Sequence, residues 1–579
     1  MNSLWLLKKF VKAKSLYYIF GIICLGVTTY IALFIPRIIG LIADGLNAGN
    51  TGSTIDTANI LDLILTLVGI SAAVFALKFI WRYLLIGTCR NLECYLRDNV
   101  FEHMQRLPVN FYNNRKTGDL IAYVINDIQA IRMVFGFGLV HLLDGIIINV
   151  ISISFMVRLV NPWLTLMAVA PLPFVALVMM KIRPHMQVRF RKVQEAYADI
   201  SGKVQENVNG IRVIKAFAQE NEEIDDFAVY SEKRIHRQME LTRVAGLLAP
   251  SAQVIFGISF LLYIVFGSRL VLDHTITIGD YIAFNSYLLA LTGPIMSVSR
   301  LIEVIQKGLA SGKRIDTLLN EPAHISCDIP ANAGEHISGE LEVRGLTFRY
   351  PDSDRDVLQE ISFKVGQGKT LGILGRTGSG KTTLVNLLLR LYHVADDRIF
   401  FDGKDINEIP LGDLRDDIGC VPQDNFLFSA SIKENIRFYA DDADDDRIRN
   451  AALVADVNDD IIDFPEGFET VVGERGVRLS GGQKQRVSIA RAIAKDPAIL
   501  ILDDSLSAVD TKTEESILGN IRKILNGKTG IIIAHRITAV MNADEIIVLD
   551  DGRITERGTH EELLKTGGYY ADMFEKQTG

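Results

Sequence analysis

The stretch Gly375-Arg376-Thr377-Gly378-Ser379-Gly380-Lys381-Thr382-Thr383 lies between an apolar run, Thr370–Leu374, and a helix-forming run, Leu384–Leu391. A strand, a glycine-rich turn and a helix in that order make a phosphate-binding loop. Its glycines let successive backbone N–H groups turn toward phosphate oxygens, and the helix N-terminus adds the positive end of its dipole. Lys381 supplies a point charge for the β- and γ-phosphates, and the Thr382 hydroxyl a ligand for Mg2+. Two further runs carry chemistry. Ile499-Leu500-Ile501-Leu502-Asp503-Asp504 is an apolar strand ending in adjacent carboxylates, and Leu479-Ser480-Gly481-Gly482-Gln483 precedes it.

Those two runs resemble the Walker B strand and the signature sequence of ABC ATPases, and the resemblance implies further roles. Tyr350, in Phe348-Arg349-Tyr350-Pro351, sits where the family stacks an aromatic ring on adenine. Gln423, in Val421-Pro422-Gln423-Asp424, holds the Q-loop place, touching Mg2+ and sensing the γ-phosphate. Asp503 would hold Mg2+ through water, and His535 stands at the switch-histidine position against the γ-phosphate. Ser507-Ala508-Val509-Asp510 resembles the D-loop, and Glu474-Arg475-Gly476 the X-loop. In the family two ATPase domains pair head to tail. Ser480, Gly481, Gly482 and Gln483 are therefore expected on an ATP whose P-loop belongs to another copy.

One position departs from the pattern. ABC ATPases that hydrolyse well carry Glu directly after the Walker B Asp, to polarise the attacking water. Asp504 stands there, one methylene shorter. A positioned general base contributes about 10²–10⁴ in rate, or about 2.7–5.5 kcal/mol of barrier. The site built on Lys381 is thus expected to be impaired while the signature stays intact.

The elements that must position these residues divide the chain in two. Leu341-Glu342-Val343 begins strand-like alternation, after a Pro/Gly/Ser-containing linker over 321–338. An ATPase domain is expected over 339–579, with 1–320 as a membrane domain. Apolar residues make up 49% of the chain and mean hydropathy is +0.21, which points to a membrane protein. Six runs can cross the hydrocarbon core, near 16–43, 58–82, 134–158, 161–182, 247–271 and 281–305. Pro36, Pro171, Pro173 and Pro294 fall within them, and are tolerable where neighbouring helices recover the freed carbonyls. The net charge of -8 gives no reason to expect nucleic acid. Cys24, Cys89, Cys94, Cys327 and Cys420 lack metal-ligand spacing and read as reduced thiols. No cleavable leader is legible, because the apolar run after Lys8, Lys9, Lys12 and Lys14 is too long.

Charge sets the orientation. No Lys or Arg lies between Arg37 and Lys78 or between Arg269 and Arg300, whereas 83–132 holds six of them and 183–243 eleven. The basic segments belong in the cytoplasm, with both termini. They read as helical extensions that turn at Phe111–Asp119 and Glu206–Ile211. Pattern alone does not separate a solvated hairpin from a docking element. Six spans, two long intracellular loops and a C-terminal ATPase resemble the type IV, exporter-type ABC fold, in which such turns are coupling helices on the ATPase domains. Within the third span, His141 and Asp144 lie one turn apart, and a central Asp costs about 2.5–3.5 kcal/mol. They could face a water-filled path and attract cations, or be a polar pair satisfied within the bundle. The acidic run Asp441–Asp446 reads as a solvated loop.

The expected fold is an α-helical membrane domain fused to an α/β P-loop ABC ATPase. Among exporters the chain is similar to the degenerate-site subunit of bacterial heterodimeric multidrug-resistance transporters. The resemblance implies ATP and Mg2+ as cofactors, a plasma-membrane location, a second half-transporter as partner and small amphipathic substrates. Lipid or peptide export, or a non-hydrolysing regulatory subunit, are the competing readings.

Overall fold

The computed structural model describes residues 3–50, 57–322, 336–439, 443–473 and 479–578. Residues 323–335 of the expected linker, the X-loop 474–476 and 441–442 of the acidic run lie outside the described residues, as does Cys327. The chain folds as two units, Met1–Arg106 with Lys116–Glu321, and Leu107–Arg115 with Pro322–Gly579.

The first unit is helical. Among the described residues six helices are long and apolar enough to cross a membrane: Ser15–Asn47, Ala58–Gln105, Thr117–Val160, Pro162–Asn209, Glu220–Leu272 and Ile278–Leu319. Within them we distinguish α1 (Ser15–Ala32), α2 (Ile35–Asn50), α3 (Thr57–Gln105), α4 (Leu139–Phe155), α5 (Leu172–Asn209), α6 (Glu220–Ala245), α7 (Leu248–Leu272) and α8 (Ile278–Leu319). Helices α3, α5 and α6 run on past the apolar spans as charged extensions. The turn between the third and fourth spans has a local cause. Asn161 Oδ1 accepts from the backbone N–H groups of Trp163 (2.9 Å) and Leu164 (3.1 Å), with Pro162 at the first helical position. Pro171 separates Pro162–Val169 from α5, while Pro294 is carried inside α8. Phe284, Tyr287 and Leu291 of α8 pack with Leu164, Ala168 and Tyr263 as the bundle core.

Where α2 meets the start of α8, polar groups close the contact. Asp44 accepts from Thr277 Oγ1 (2.7 Å) and the Gly279 N–H (2.6 Å), and Arg37 pairs with Asp280. A Cβ on Gly279 would sit 2.1 Å from the Gly40 carbonyl oxygen, so this approach requires glycine.

The second unit is α/β. Strands β1 (Leu341–Arg349), β2 (Asp356–Val365), β4 (Ile399–Phe401) and β5 (Lys404–Asp405) make one sheet in the order β2-β1-β4-β5. The other sheet has the order β10-β9-β3-β8-β7-β6. Its members are β3 (Thr370–Gly375), β6 (Ile418–Val421), β7 (Ile499–Asp503), β8 (Thr529–Ile533), β9 (Glu545–Asp550) and β10 (Arg553–Gly558), all parallel except β10. Alternate residues of one strand feed two cores. Ile499 and Ile501 join Leu371, Ile373 and Leu384, whereas Leu500 and Leu502 join Leu374, Val487 and Ile517. A sheet covered on both faces explains why its strands read as unbroken apolar runs.

Candidate functional site

The strand order β3-β8-β7-β6 sets four carboxyl ends side by side, the edge at which open α/β sheets bind ligands. The P-loop leaves β3, His535 follows β8, Asp503 and Asp504 close β7, and Gln423 follows β6. Cross-strand register keeps them level, since Asp503 pairs with Ile533 and Ile533 with Ile373. A cavity of about 220 Å³ results, lined by Thr377, Gly378, Gly380, Lys381, Thr382, Thr383, Gln423, Asp503, Asp504 and His535. Residues far apart in sequence are thereby brought to one cleft.

Within it the P-loop turns through Gly378 (φ 84°) and Gly380 (φ 102°), conformations that residues with a Cβ rarely adopt. At Gly380 a Cβ would also lie 2.6 Å from Leu358 Cδ2. Helix α9 (Lys381–Leu388) starts there. Lys381 is buried, and its Nζ donates to the carbonyls of Gly375 (2.8 Å) and Arg376 (2.9 Å). Burial lowers the pKa of this ammonium, against the opposing pull of Asp503 and Asp504. Asp503 is shifted the other way. Burial raises it and the Asp504 charge adds to this, while the Thr382 hydroxyl, Lys381 and His535 hold it down. A desolvated cation thus faces a desolvated carboxylate, an arrangement that a phosphate and a divalent cation would complement.

The donors present fit that ligand pair. Ser379 Oγ is buried without a partner among the described residues, and space is open beside Gly378. Thr382, Asp503 and Gln423 offer oxygen ligands of the kind Mg2+ takes. Among the described residues no group of three or more His, Cys, Asp or Glu could form an all-protein metal cage. A cation here would share its ligands with a phosphate.

Tyr350 stands beside the loop, its hydroxyl 2.9 Å from Thr383 Oγ1 and its ring edge-on to Tyr392 at 5.0 Å. Arg376 points elsewhere, over the ring of Tyr569 at 5.4 Å. Asp504 adopts φ 47°, a left-handed conformation that Asp tolerates better than most residues.

The signature residues do not line this cavity. Ser480 caps helix α10 (Gly481–Ala494) in a reciprocal box: its Oγ accepts from the Gln483 N–H (3.2 Å), and Gln483 Oε1 accepts from the Ser480 N–H (3.0 Å). Gln483 Nε2 also donates to Asp460 (3.0 Å), so this side chain is engaged within its own domain. A Cβ on Gly482 would lie 3.0 Å from the Ala508 carbonyl oxygen, the close approach that packs the signature against the D-loop. Buried Gln485 ties the same two segments, accepting from the Ala508 N–H (3.0 Å).

Three residues escaped the sequence reading. Tyr392 accepts from Asn113 Nδ2 (3.0 Å), in a short helix Val109–Asn113 whose Phe111 is only 6% exposed. Asn114 donates to Asp352 (2.7 Å) nearby. The tip of the first long loop is therefore seated in the ATPase unit, and the solvated-hairpin alternative is wrong for it. Behind His535, buried Glu514 of α11 (Thr511–Ile524) accepts from Arg536 (2.7 Å). Gln577 of α12 (Tyr569–Thr578) donates to the His535 carbonyl (3.0 Å) and accepts from the Ile537 N–H (2.9 Å). No spacing rule marks a tyrosine after a P-loop helix or a glutamine in a final helix.

Comparison with known proteins agrees with this geometry. The ABC transporter transmembrane region family matches residues 18–295, and the ABC transporter family matches 358–507. The chain is 39% identical to the probable multidrug resistance ABC transporter ATP-binding/permease protein YheI of Bacillus subtilis (strain 168), over 98% of this chain and 96% of that one. It is 35% identical to the multidrug resistance-like ATP-binding protein MdlA of Escherichia coli (strain K12), over 97% and 94%. A solved bacterial Atm1-family ABC exporter with ATP bound superposes with a TM-score of 0.76 at 27% identity, covering 98% of this chain and 99% of that one. Matched in both halves and along nearly its whole length, the chain belongs to the ABC transporters, as an exporter-type transport ATPase with its membrane and ATPase domains on one polypeptide.

Proposed function

We propose that this chain is one half of a heterodimeric exporter that moves amphipathic small molecules out of the cell, driven by ATP hydrolysis. Asp504 carries this reading, because the position calls for a carboxylate that reaches a water and the side chain here is short. Tyr350 receives adenine, residues 375–383 hold the phosphates, and Thr382, Gln423 and Asp503 hold Mg2+. Bound Mg2+ supplies charge neutralisation at the β- and γ-phosphates. His535 contacts the γ-phosphate, and Asp504 is a weak base. Ser480 and the amides of Gly481 and Gly482 complete the site on the partner's P-loop, with Gln483 fixing their helix end through the capping box.

A partner is supported by the second long loop. Val208, Ile211, Val213 and Phe217 at its turn are exposed, Phe217 by 72%. Apolar residues clustered on a cytoplasmic tip call for a covering surface, and a partner's ATPase domain provides one. The basic loop segments support a cytoplasmic location for both termini, in a chain taken to span the cell membrane. The multidrug names of its relatives support small amphipathic cargo.

The test is steady-state ATPase activity of the purified chain, alone and with a half-transporter that carries Glu at this position. Turnover is expected to be weak alone and to rise on pairing. High turnover by the isolated chain, abolished by Lys381→Ala, would contradict the heterodimer.

A further inference from the structure

Arg376 belongs to the P-loop yet does not line the cavity. Its guanidinium lies over the ring of Tyr569 instead, 5.4 Å from the ring centroid. Tyr569 is the first residue of α12, and the far end of that helix meets the segment that carries His535. There Gln577 Nε2 donates to the His535 carbonyl (3.0 Å), and Gln577 Oε1 accepts from the Ile537 N–H (2.9 Å). One ten-residue helix thus touches the loops that leave β3 and β8, two neighbouring strands of the sheet.

Both ends of the helix are firmly seated. At its start, Glu556 of β10 accepts from the backbone N–H groups of Tyr569 and Tyr570, a carboxylate on the positive end of the helix. Tyr570 is fully buried, and its hydroxyl lies 2.6 Å from His560 Nδ1. At its end, Gln577 acts on a stretch with no regular structure of its own. His535 and Arg536 form a bend between β8 and a short helix, Ile537–Val540. A side-chain amide carries both a donor and an acceptor. Gln577 uses both, bonding the peptide groups on either side of Arg536 as a neighbouring strand would. That fixes the backbone which brings His535 to the cavity wall.

We propose that α12 is a brace that sets His535 against the P-loop, with Gln577 and Tyr569 as positioning residues, and that this domain's preference for ATP over ADP depends on it. This rests on the nucleotide site proposed above and adds its selectivity. The two ends of the brace act on different phosphates. Under that reading His535 meets a γ-phosphate, which ADP lacks, whereas the P-loop holds the phosphates that both nucleotides share. Loss of the Gln577 contacts therefore falls on ATP alone, and loss of the Tyr569 contact falls on both.

The experiment uses the full chain in lipid nanodiscs with Mg2+. Dissociation constants are read for ADP and for AMP-PNP, a non-hydrolysable analogue of ATP. Gln577→Ala removes two hydrogen bonds and is expected to weaken AMP-PNP about fivefold or more while moving ADP less than about twofold. In a His535→Ala chain the same substitution should add less than about twofold, because the glutamine acts through the histidine. Tyr569→Leu should weaken both nucleotides alike, by about two- to fivefold, and Tyr569→Phe, which keeps the ring face, should restore both. A Gln577→Ala chain that binds both nucleotides as the wild type does, or loses both equally, overturns the brace. So does full additivity with His535→Ala, or wild-type affinity for both nucleotides in Tyr569→Leu. Binding that survives Lys381→Ala, or no binding by the wild type, overturns the nucleotide site itself.

Discussion

A single methylene separates Asp504 from the glutamate its position calls for, and the left-handed backbone there adds a second constraint. An alanine in that conformation costs about 1 kcal/mol, so Asp504→Ala should lower the melting temperature slightly whatever it does to turnover. Asp504→Glu restores reach. In a complex whose partner lacks its own base, it is expected to raise turnover about tenfold or more, measured as steady-state ATPase activity. The segment that begins at His535 is held by two residues that do not line the cavity, Gln577 on the His535 carbonyl and Glu514 on Arg536. Gln577→Ala frees the His535 carbonyl, and Glu514→Gln weakens the pair with Arg536, which should destabilise the ATPase domain by about 1–3 kcal/mol. Denaturant unfolding checks the second, and the rate at which bound ATP is released checks the first, which is expected to rise. The P-loop and the paired carboxylates were legible because strand, turn and helix follow one another in sequence. Glu514 and Gln577 were not, since their roles come from which distant segments fold behind His535.

Among elements, the first long loop shows what pattern analysis reaches and what it misses. Its turn was legible from Asn113, Asn114 and Gly118, residues that break helices. Its docking was not legible from pattern and was implied only by the family resemblance, because Asn113 and Asn114 meet Tyr392 and Asp352, partners more than two hundred residues away in sequence. Hydrogen bonds and ring contacts run from Asn113 to Tyr392, Tyr350 and Thr383, from the loop tip to the P-loop helix. Nucleotide state is therefore expected to reach the loop by this route. Tyr392→Phe and Asn113→Ala should each reduce transport more than ATP binding, and the pair should be non-additive in a double-mutant cycle because they remove the same contact. Equal loss of transport and binding would mean that the contact only holds the domain together.

Over the whole chain, the six spans and the ATPase were legible because their periodicities differ, continuous apolarity against short buried strands. The order β3-β8-β7-β6 was not. Sequence proximity says nothing about which parallel strands become neighbours, yet that order makes the cavity. The signature lies outside this cavity, on a helix cap, and under the proposed function it completes a site on a second chain. The proposed heterodimer gives this polypeptide two duties, a weak site of its own and half of a strong one. They are separated by comparing ATPase rates of Gly482→Asp and Asp504→Ala in the same complex with an intact partner, using Gly482→Ala as control for crowding at Ala508. Under the proposed function, Gly482→Asp places a carboxylate where the partner's γ-phosphate would be received. It is expected to cut turnover at least about tenfold below the Gly482→Ala control, whereas Asp504→Ala should stay within about threefold of wild type. If Asp504→Ala is as damaging as Gly482→Asp, Asp504 is a working catalytic base and the two sites are not unequal.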